Sequence, residues 1–171
     1  NAMIGDNKES QIKQHTLADG RVQTVSGTGE VKTEKIYFLN EKGQQAEVFK
    51  VGEMVTLHIK IHVIKPIKSL VCGFGIKNNL GMVIYGTNTL LNDISIENIT
   101  AEEYIDVIFN FALDIGVGNY TIDTALTGGA THMENNYEWK ELGIVFQVIE
   151  YGKHKFDGLS HLIPQISIDR N

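Results

Sequence analysis

The chain has few residues that stiffen or cross-link a backbone. It contains two prolines and a single cysteine, Cys72, in 171 residues. One cysteine cannot form an internal disulfide, which suits a reducing compartment and leaves the core to hold the fold. A chain of this length can bury about two-thirds of its unfolded surface, and 42% of its residues are hydrophobic. The composition therefore predicts one domain that folds without disulfide bonds.

Two further features are missing from the sequence. No cluster of Lys and Arg stands out, and the net charge is −6, which argues against a nucleic-acid partner. No apolar run approaches the ~20 residues that a membrane-spanning helix needs. Binding to nucleic acid and direct membrane insertion are therefore not expected.

The histidines lack metal-ligand spacing. His58 and His62 share one face of a predicted strand but lie roughly 13 Å apart along it, too far to hold one ion alone. The remaining histidines fall in irregular segments. We expect no metal site and no cofactor.

No set of residues for catalysis can be selected either. Carboxylate pairs such as Asp106 with Asp123 could serve glycoside hydrolysis, yet nothing in their spacing selects a pair. Cys72 alternates with Phe74 and Ile76, so we predict that it packs as a small apolar group. The sequence predicts no catalytic residue.

What the sequence does contain is strand periodicity. Apolar and polar residues alternate with a period of two over residues 55–63, 104–113, 120–127 and 144–149, as strands with one buried face require. Turns rich in Gly and Asn separate eight or nine such segments. This pattern predicts an all-β fold, an antiparallel two-sheet β-sandwich of immunoglobulin-like or jelly-roll-like type.

The most informative segment spans residues 73–89. Two short strand-like runs flank Asn78-Asn79-Leu80-Gly81, and Asn and Gly tolerate the positive φ values of hairpin turns. Four other motifs accompany this hairpin in order: Ser26-Gly27-Thr28-Gly29-Glu30, Val48-Phe49-Lys50-Val51-Gly52-Glu53, Gly118-Asn119-Tyr120-Thr121 and Tyr137-Glu138-Trp139. Together they resemble the Wzt C-terminal domain family, the carbohydrate-binding domains of the ATP-binding subunits of polysaccharide ABC exporters.

That resemblance implies a function and partners. It implies a non-catalytic module that recognises an O-antigen polysaccharide, at its modified non-reducing end, before export. It also implies a homodimer attached to the exporter's nucleotide-binding domain and its permease, at the cytoplasmic face of the inner membrane. ATP hydrolysis would belong to the nucleotide-binding domain, whose motifs do not occur in this sequence.

Other functions remain open from the residues alone. A sandwich could equally serve as an immunoglobulin-like surface or periplasmic module with a protein partner, because folds of this kind host many functions. A glycan-active enzyme would need a pair of catalytic carboxylates, and the spacing of the acidic residues does not indicate one.

The sequence divides into three segments. Residues 1–25 are expected to be a tag scar, Asn1-Ala2 before Met3, followed by a flexible linker. Residues 26–150 are the predicted sandwich, and residues 151–171 are an arm that ends in a strand over 162–168. From the residues alone this strand pairs with its own sheet, whereas the resemblance implies that it is exchanged in a dimer.

Binding of a sugar needs planar apolar side chains together with amide or carboxylate groups. If Phe74, Ile76, Tyr120 and Ile122 face the core, small and polar residues share the opposite face of three strands that we assume to be neighbours. The carbohydrate-binding residues predicted on or beside this face are Gly73, Gly75, Tyr85, Asn88, Thr121, Asp123 and Gln147.

Two alternatives compete with this site. An ordinary solvated sheet face explains the same residues. A second face carries Thr56, His58, Lys60 and His62 beside Tyr104, Asp106 and Asn110, and ranks lower because it is more charged. Trp139 could be a sugar platform, but we predict that it packs in the core.

Overall fold

A computed structural model describes residues 9–129, 135–150 and 155–170. These residues contain eleven β-strands and one short 3₁₀ helix. The strands are β1 (Gln11–Thr16), β2 (Val22–Gly27), β3 (Val31–Leu39), β4 (Val48–Lys50), β5 (Met54–Val63), β6 (Ile67–Asn78), β7 (Val83–Asn88), β8 (Ile96–Ile99), β9 (Tyr104–Ala112), β10 (Gly118–Thr127) and β11 (Asn136–Ile149), with the 3₁₀ helix at Leu90–Asn92. In the described part of the chain, no helix is long and apolar enough to cross a bilayer.

The strands form two packed sheets. The larger sheet has the order β1-β2-β11-β10-β6-β7, with β4 also paired to β11 and β8 to β6. The smaller sheet has the order β3-β5-β9. Every pair is antiparallel except β4 with β11. The predicted all-β, two-sheet sandwich is confirmed, with more strands than the eight or nine expected.

The core lies between the sheets and follows the predicted alternation. On β5, Val55, Leu57, Ile59, Ile61 and Val63 are all buried. Four aromatic rings meet beside them, those of Phe38, Phe49, Tyr120 and Phe146. These inward-facing residues leave the outward faces of both sheets free for polar side chains.

Two buried groups show how this core treats polar atoms. The hydroxyl of Tyr120 donates to the carbonyl of Gly116 over 2.7 Å, the arrangement of a tyrosine corner, and burial raises the pKa of Tyr120. Cys72 is 0% exposed, and its burial raises the pKa of the thiol to about 12. The prediction that Cys72 packs as an apolar residue is confirmed.

The segment before residue 26 differs from the expected linker. Residues 11–16 and 22–27 form a hairpin, and β2 pairs with β11 through Ser26–Trp139 and Val25–Lys140. All six residues of β1 are exposed. A strand without a buried face has no apolar periodicity, so the sequence contained no signal for it.

The strand predicted over residues 162–168 is absent from the single chain. The C-terminal arm is fixed at its start, where the amide of Gly116 donates to the carbonyl of Leu159 over 3.0 Å and that of His161 to the carbonyl of Asp114 over 3.2 Å. Residues 162–170 then form no strand. A strand is defined by a hydrogen-bonded neighbour, and no neighbour for this segment is present in the described part of one chain.

Candidate functional site: a groove on the outer face of the larger sheet

The hairpin between β6 and β7 is fixed by its turn. The side-chain oxygen of Asn78 accepts the amides of Leu80 and Met82, each over 3.0 Å, and Gly81 adopts a φ of 77°. A residue without a Cβ adopts that conformation at little cost. The turn therefore sets the register in which Gly73 faces Asn88 and Gly75 faces Gly86.

One row of residues crosses four strands on the outer face. Trp139 on β11 lies opposite Ala125 on β10, Ala125 opposite Gly73 on β6, and Gly73 opposite Asn88 on β7. Strands lie 4.7–4.9 Å apart, so the two ends of the row are roughly 14 Å from each other. Large side chains at the ends and small ones in the middle make a trough.

The next row continues the floor of this trough with glycine. Asp123 lies opposite Gly75, and Gly75 opposite Gly86. A Cβ added at Gly75 would come no closer than 3.7 Å to any atom, whereas one at Gly73 would lie 2.9 Å from the Cβ of Asn88. Close packing against β7 therefore requires glycine at position 73, while Gly75 leaves open space.

These rows enclose a groove of about 370 Å³. Its floor is formed by Gly73, Gly75, Gly86 and Ala125. Trp139, which is half-buried, borders it on the β11 side, and Leu91 of the 3₁₀ helix lies at the β7 side. Apolar surface thus dominates a groove on an otherwise polar sheet face.

The ion pair of Lys77 and Asp123 closes one end of the groove. The Asp123 side chain is 5% exposed, and its Oδ1 also accepts the amide of Leu142 over 3.0 Å. Leu142 has a φ of 51° within a β-bulge of β11. Because Nε2 of Gln23 donates to the carbonyl of Leu142 over 2.9 Å, the bulge is held from both sides.

Asn88 supplies a polar group at the opposite border. Its Oδ1 accepts the amide of Leu91 over 2.7 Å, and its carbonyl accepts Nδ2 of Asn92 over 2.8 Å. Nδ2 of Asn88 makes no hydrogen bond to another described residue. This amide can donate to a hydroxyl of a ligand in the groove.

A second, more polar groove of about 400 Å³ begins beyond the ion pair. Lys77 and Asp123 line both grooves, so the two are contiguous. The polar side chains of the second groove are those of Arg21, Asn78, Asn79, Asn119, Thr121 and Glu141.

A comparison with known families settles the relationship of the chain. The model of the Wzt C-terminal domain matches residues 22–162. The chain belongs to the Wzt C-terminal domain family. The predicted family resemblance is thereby confirmed.

Solved structures agree on the fold. A crystal structure of the C-terminal domain of Wzt superposes with a TM-score of 0.73 at 19% identity, and the match covers 85% of this chain and 87% of that one. The CARDB domain of the PF1109 protein from Pyrococcus furiosus, solved with di-metal ions, has a TM-score of 0.40 at 13% identity and covers 67% and 86%. The second likeness is too distant to carry an argument. No curated protein matches the chain.

Within this Wzt C-terminal domain, the assumed neighbours β6, β10 and β11 are adjacent. Gly73, Gly75, Asn88 and Asp123 line the first groove, and Thr121 lines the second. Gln147 lies on the same face, opposite Asn119, but is exposed and lines neither groove.

Tyr85 is misplaced in the sequence prediction. It pairs with the inward-facing Ile76 and lines a different cavity, of about 480 Å³, together with Phe111. Strand alternation explains this, because Asn88 and Tyr85 are three residues apart and so point to opposite faces.

Trp139 is the residue that sequence reasoning missed. We predicted that it packs in the core, but it lines the groove. Counting back in steps of two from the buried Val148 and Phe146 places position 139 on the outward side. The two additional residues of the bulge do not change that parity. The alternation of inward and outward residues along β11 therefore already indicated that Trp139 faces outward.

The competing face, on the smaller sheet, is occupied by contacts among its own side chains. The ring of His58 stacks on Tyr37 at 4.7 Å, and its Nδ1 lies 3.0 Å from Asp106. His62 stacks on Tyr104 at 4.6 Å. Among the described residues, no group of three His, Cys, Asp or Glu side chains is placed to hold a metal ion.

Proposed function

We propose that this domain is a non-catalytic carbohydrate-binding module that recognises an O-antigen polysaccharide, at its modified non-reducing end, for export by an ABC transporter. The observation that carries the proposal is the row from Trp139 through Ala125 and Gly73 to Asn88. It places an indole ring beside a glycine-rich floor and an amide donor opposite. An amphipathic aromatic ring and a free amide are the groups that a pyranose ring and its hydroxyls require.

Binding without catalysis is the chemistry that this groove supports. Glycoside hydrolysis requires two carboxyl groups that flank the scissile bond. Among the described residues that line the groove, Asp123 is the one carboxylic acid, and it is engaged by Lys77 and the amide of Leu142. We therefore assign Asp123 a structural role.

Membership of the Wzt C-terminal domain family supports the proposed setting. In that setting the domain is joined to a nucleotide-binding domain on the cytoplasmic side of the inner membrane and works beside the permease. Each binding site has a weak affinity for the polysaccharide. The presence of two sites in a dimer and the tethering of the domain to the transporter raise the effective affinity.

The test uses the chain's single tryptophan. Because Trp139 lines the groove, its fluorescence should change as O-polysaccharide from the source strain is titrated in, and calorimetry should give the same midpoint. We expect Gly75→Leu to weaken binding at least tenfold, about 1.4 kcal/mol, because the side chain fills the floor while its Cβ makes only an ordinary contact, 3.7 Å, with the carbonyl oxygen of Tyr85.

A matched control separates the groove from a general surface effect. Asn110→Leu adds the same side chain to the outer face of the smaller sheet, at a position on β9 opposite Thr56, and should leave binding unchanged. An unrelated polysaccharide should not bind. If the unaltered protein shows no saturable binding to its own polysaccharide, the proposal is wrong and a protein partner becomes the better hypothesis.

We also propose that the domain dimerises by exchange of its C-terminal segment. Four large apolar side chains beyond His161 are 68–82% exposed, namely Leu162, Ile163, Ile166 and Ile168. A contiguous apolar segment of this kind usually marks an interaction surface. Extended segments can add to a free sheet edge, and β9 and β3 are the edge strands of the smaller sheet.

Shortening the chain tests this exchange. A variant that ends at His161 keeps the hydrogen bonds of Leu159 and His161 to residues 114–116 and loses all four exposed apolar residues. We expect light scattering to show a dimer for the full chain and a monomer for the variant, and the circular dichroism of the variant should still be that of a folded β-sandwich. A dimer with a micromolar Kd is mostly associated at about 100 µM. A full chain that is still monomeric at that concentration would contradict the exchange.

A further inference from the structure

The two contiguous grooves on the outer face differ sharply in character. The first is bordered by the side chains of Val71, Leu91 and Trp139 above a floor of glycine and Ala125. The second is bordered by amides, a hydroxyl and charged groups, including Asn119, Thr121 and Arg21. The Lys77–Asp123 ion pair marks the boundary, since both residues line both grooves.

Few polar groups in the first groove remain available to a ligand. The hydroxyl of Thr127 donates to the carbonyl of Gly129, and Oδ1 of Asn88 accepts the amide of Leu91. Asp123 is held by Lys77 and Leu142. Nδ2 of Asn88 is left as a donor. Two further hydroxyls line the groove: that of Thr87, whose oxygen accepts Nδ2 of Asn92, and that of Thr124, which is buried. A sugar with a hydroxyl on every carbon would lose water from several hydroxyls here without replacing those hydrogen bonds.

A methyl group suits the same surface. Each buried methyl or methylene is stabilised by its removal from water, and the side chains of Trp139, Leu91 and Val71 at the borders of the groove offer apolar contact. An apolar pocket discriminates against an added hydroxyl about as strongly as it favours an added methyl group, by about 10- to 200-fold in each case. Selectivity in the first groove should therefore favour a sugar with fewer hydroxyls and one methyl group.

The second groove has the opposite preference. Asn78 uses Oδ1 in its own turn, while its Nδ2 makes no hydrogen bond to another described residue. Arg21 is paired with Asp19, and Thr121 lies opposite Lys77 on the neighbouring strand. Amide and hydroxyl groups of this kind can both donate to and accept from sugar hydroxyls.

We infer that the outer face binds two consecutive sugar units of different polarity: a methyl-bearing unit, either a 6-deoxy or an N-acetyl sugar, in the first groove, and a hydroxyl-rich unit in the second. The inference rests on the proposed function and specifies the substrate class of the same site. It assigns Leu91 and Trp139 as residues that determine specificity and Asn88 as the one that orients the methyl-bearing unit.

Saturation-transfer NMR with matched monosaccharides tests this inference. The pairs are L-rhamnose with L-mannose, L-fucose with L-galactose, and N-acetylglucosamine with glucose, so that each pair differs in its methyl-bearing group. We expect at least a fivefold larger transfer to one methyl-bearing sugar than to its partner, strongest at the methyl protons. The responding pair identifies the source of the methyl group.

Variants assign the signal to a groove. Gly75→Leu should abolish the transfer to the methyl protons, whereas Asn110→Leu, on the outer face of the smaller sheet, should leave it unchanged. Equal transfer to both members of every pair would overturn the inference, as would no transfer to any sugar or a signal that survives in Gly75→Leu. The titration with polysaccharide is a separate experiment. If the polymer binds but the monosaccharide pairs show no methyl preference, the inference alone is wrong. If the polymer does not bind, the proposed function is wrong as well.

Discussion

Replacement of Phe146 by alanine should lower the free energy of unfolding by about 3–5 kcal/mol. The side chain is 2% exposed and connects both sheets, because its ring lies 5.2 Å from that of Phe38 on β3 and 5.6 Å from that of Tyr120 on β10. Phe49 lies at 6.1 Å. Truncation removes apolar contacts on three sides and leaves a cavity that a sheet-on-sheet core cannot close by a small shift.

Urea unfolding measures this loss. A domain of this kind has a free energy of unfolding of about 5–15 kcal/mol, so Phe146→Ala should shift the midpoint strongly while the slope m stays constant. Phe146→Leu, which keeps most of the volume, should cost about 1–2 kcal/mol. Tyr104→Ala, at an aromatic residue that is 67% exposed on β9, should cost under about 1 kcal/mol. Equal losses in all three variants would show that the ring cluster is not the centre of the core.

The parts of the fold that the sequence predicted are those in which one face is buried. The strand over residues 54–63 alternates because Val55, Leu57 and Ile59 must leave water while the residues between them stay in it. The turn at Asn78 and Gly81 could also be predicted from the sequence, because it depends only on hydrogen bonds and backbone angles of neighbouring residues. The outward face of β6 and β10 followed from the same alternation once Phe74 and Tyr120 were placed inward.

The parts that it did not predict depend on neighbours that no local pattern encodes. In the hairpin of β1 and β2, β1 has no buried face, and the hairpin is positioned by two residue pairs between β2 and β11. The segment over residues 162–168 is apolar enough to be a strand, yet a strand also needs an available edge. The bulge at Leu142 adds two residues to β11 relative to β10, so it could not be placed before the register was known.

That bulge links the structure of the sheet to the groove. It lies beside Asp123, at the boundary where the apolar groove meets the polar one. Bulges bend the strand, increase its local twist and redirect side chains near them. The position of Trp139, three residues before Leu142, therefore depends on a feature that Asp123 and Gln23 hold in place.

Replacement of Asp123 by alanine should accordingly lower the free energy of unfolding by about 2–4 kcal/mol. The change leaves the amide of Leu142 without its acceptor and the ammonium group of Lys77 without its counter-ion. Loss of one partner from a buried pair costs about 3–5 kcal/mol, and the lower range applies because the Lys77 side chain remains 24% exposed.

Asp123→Asn separates the two contributions, because its amide oxygen can still accept from Leu142 while the ion pair is lost. We expect Asp123→Asn to lose about half as much stability as Asp123→Ala in urea unfolding. Hydrogen exchange at the Leu142 amide should accelerate in Asp123→Ala and stay near its original rate in Asp123→Asn, because exchange follows local opening. If both variants lose less than about 0.5 kcal/mol, the range of ordinary surface substitutions, the carboxylate does not hold the bulge, and a direct contact of Asp123 with sugar becomes the better explanation for its place in the groove.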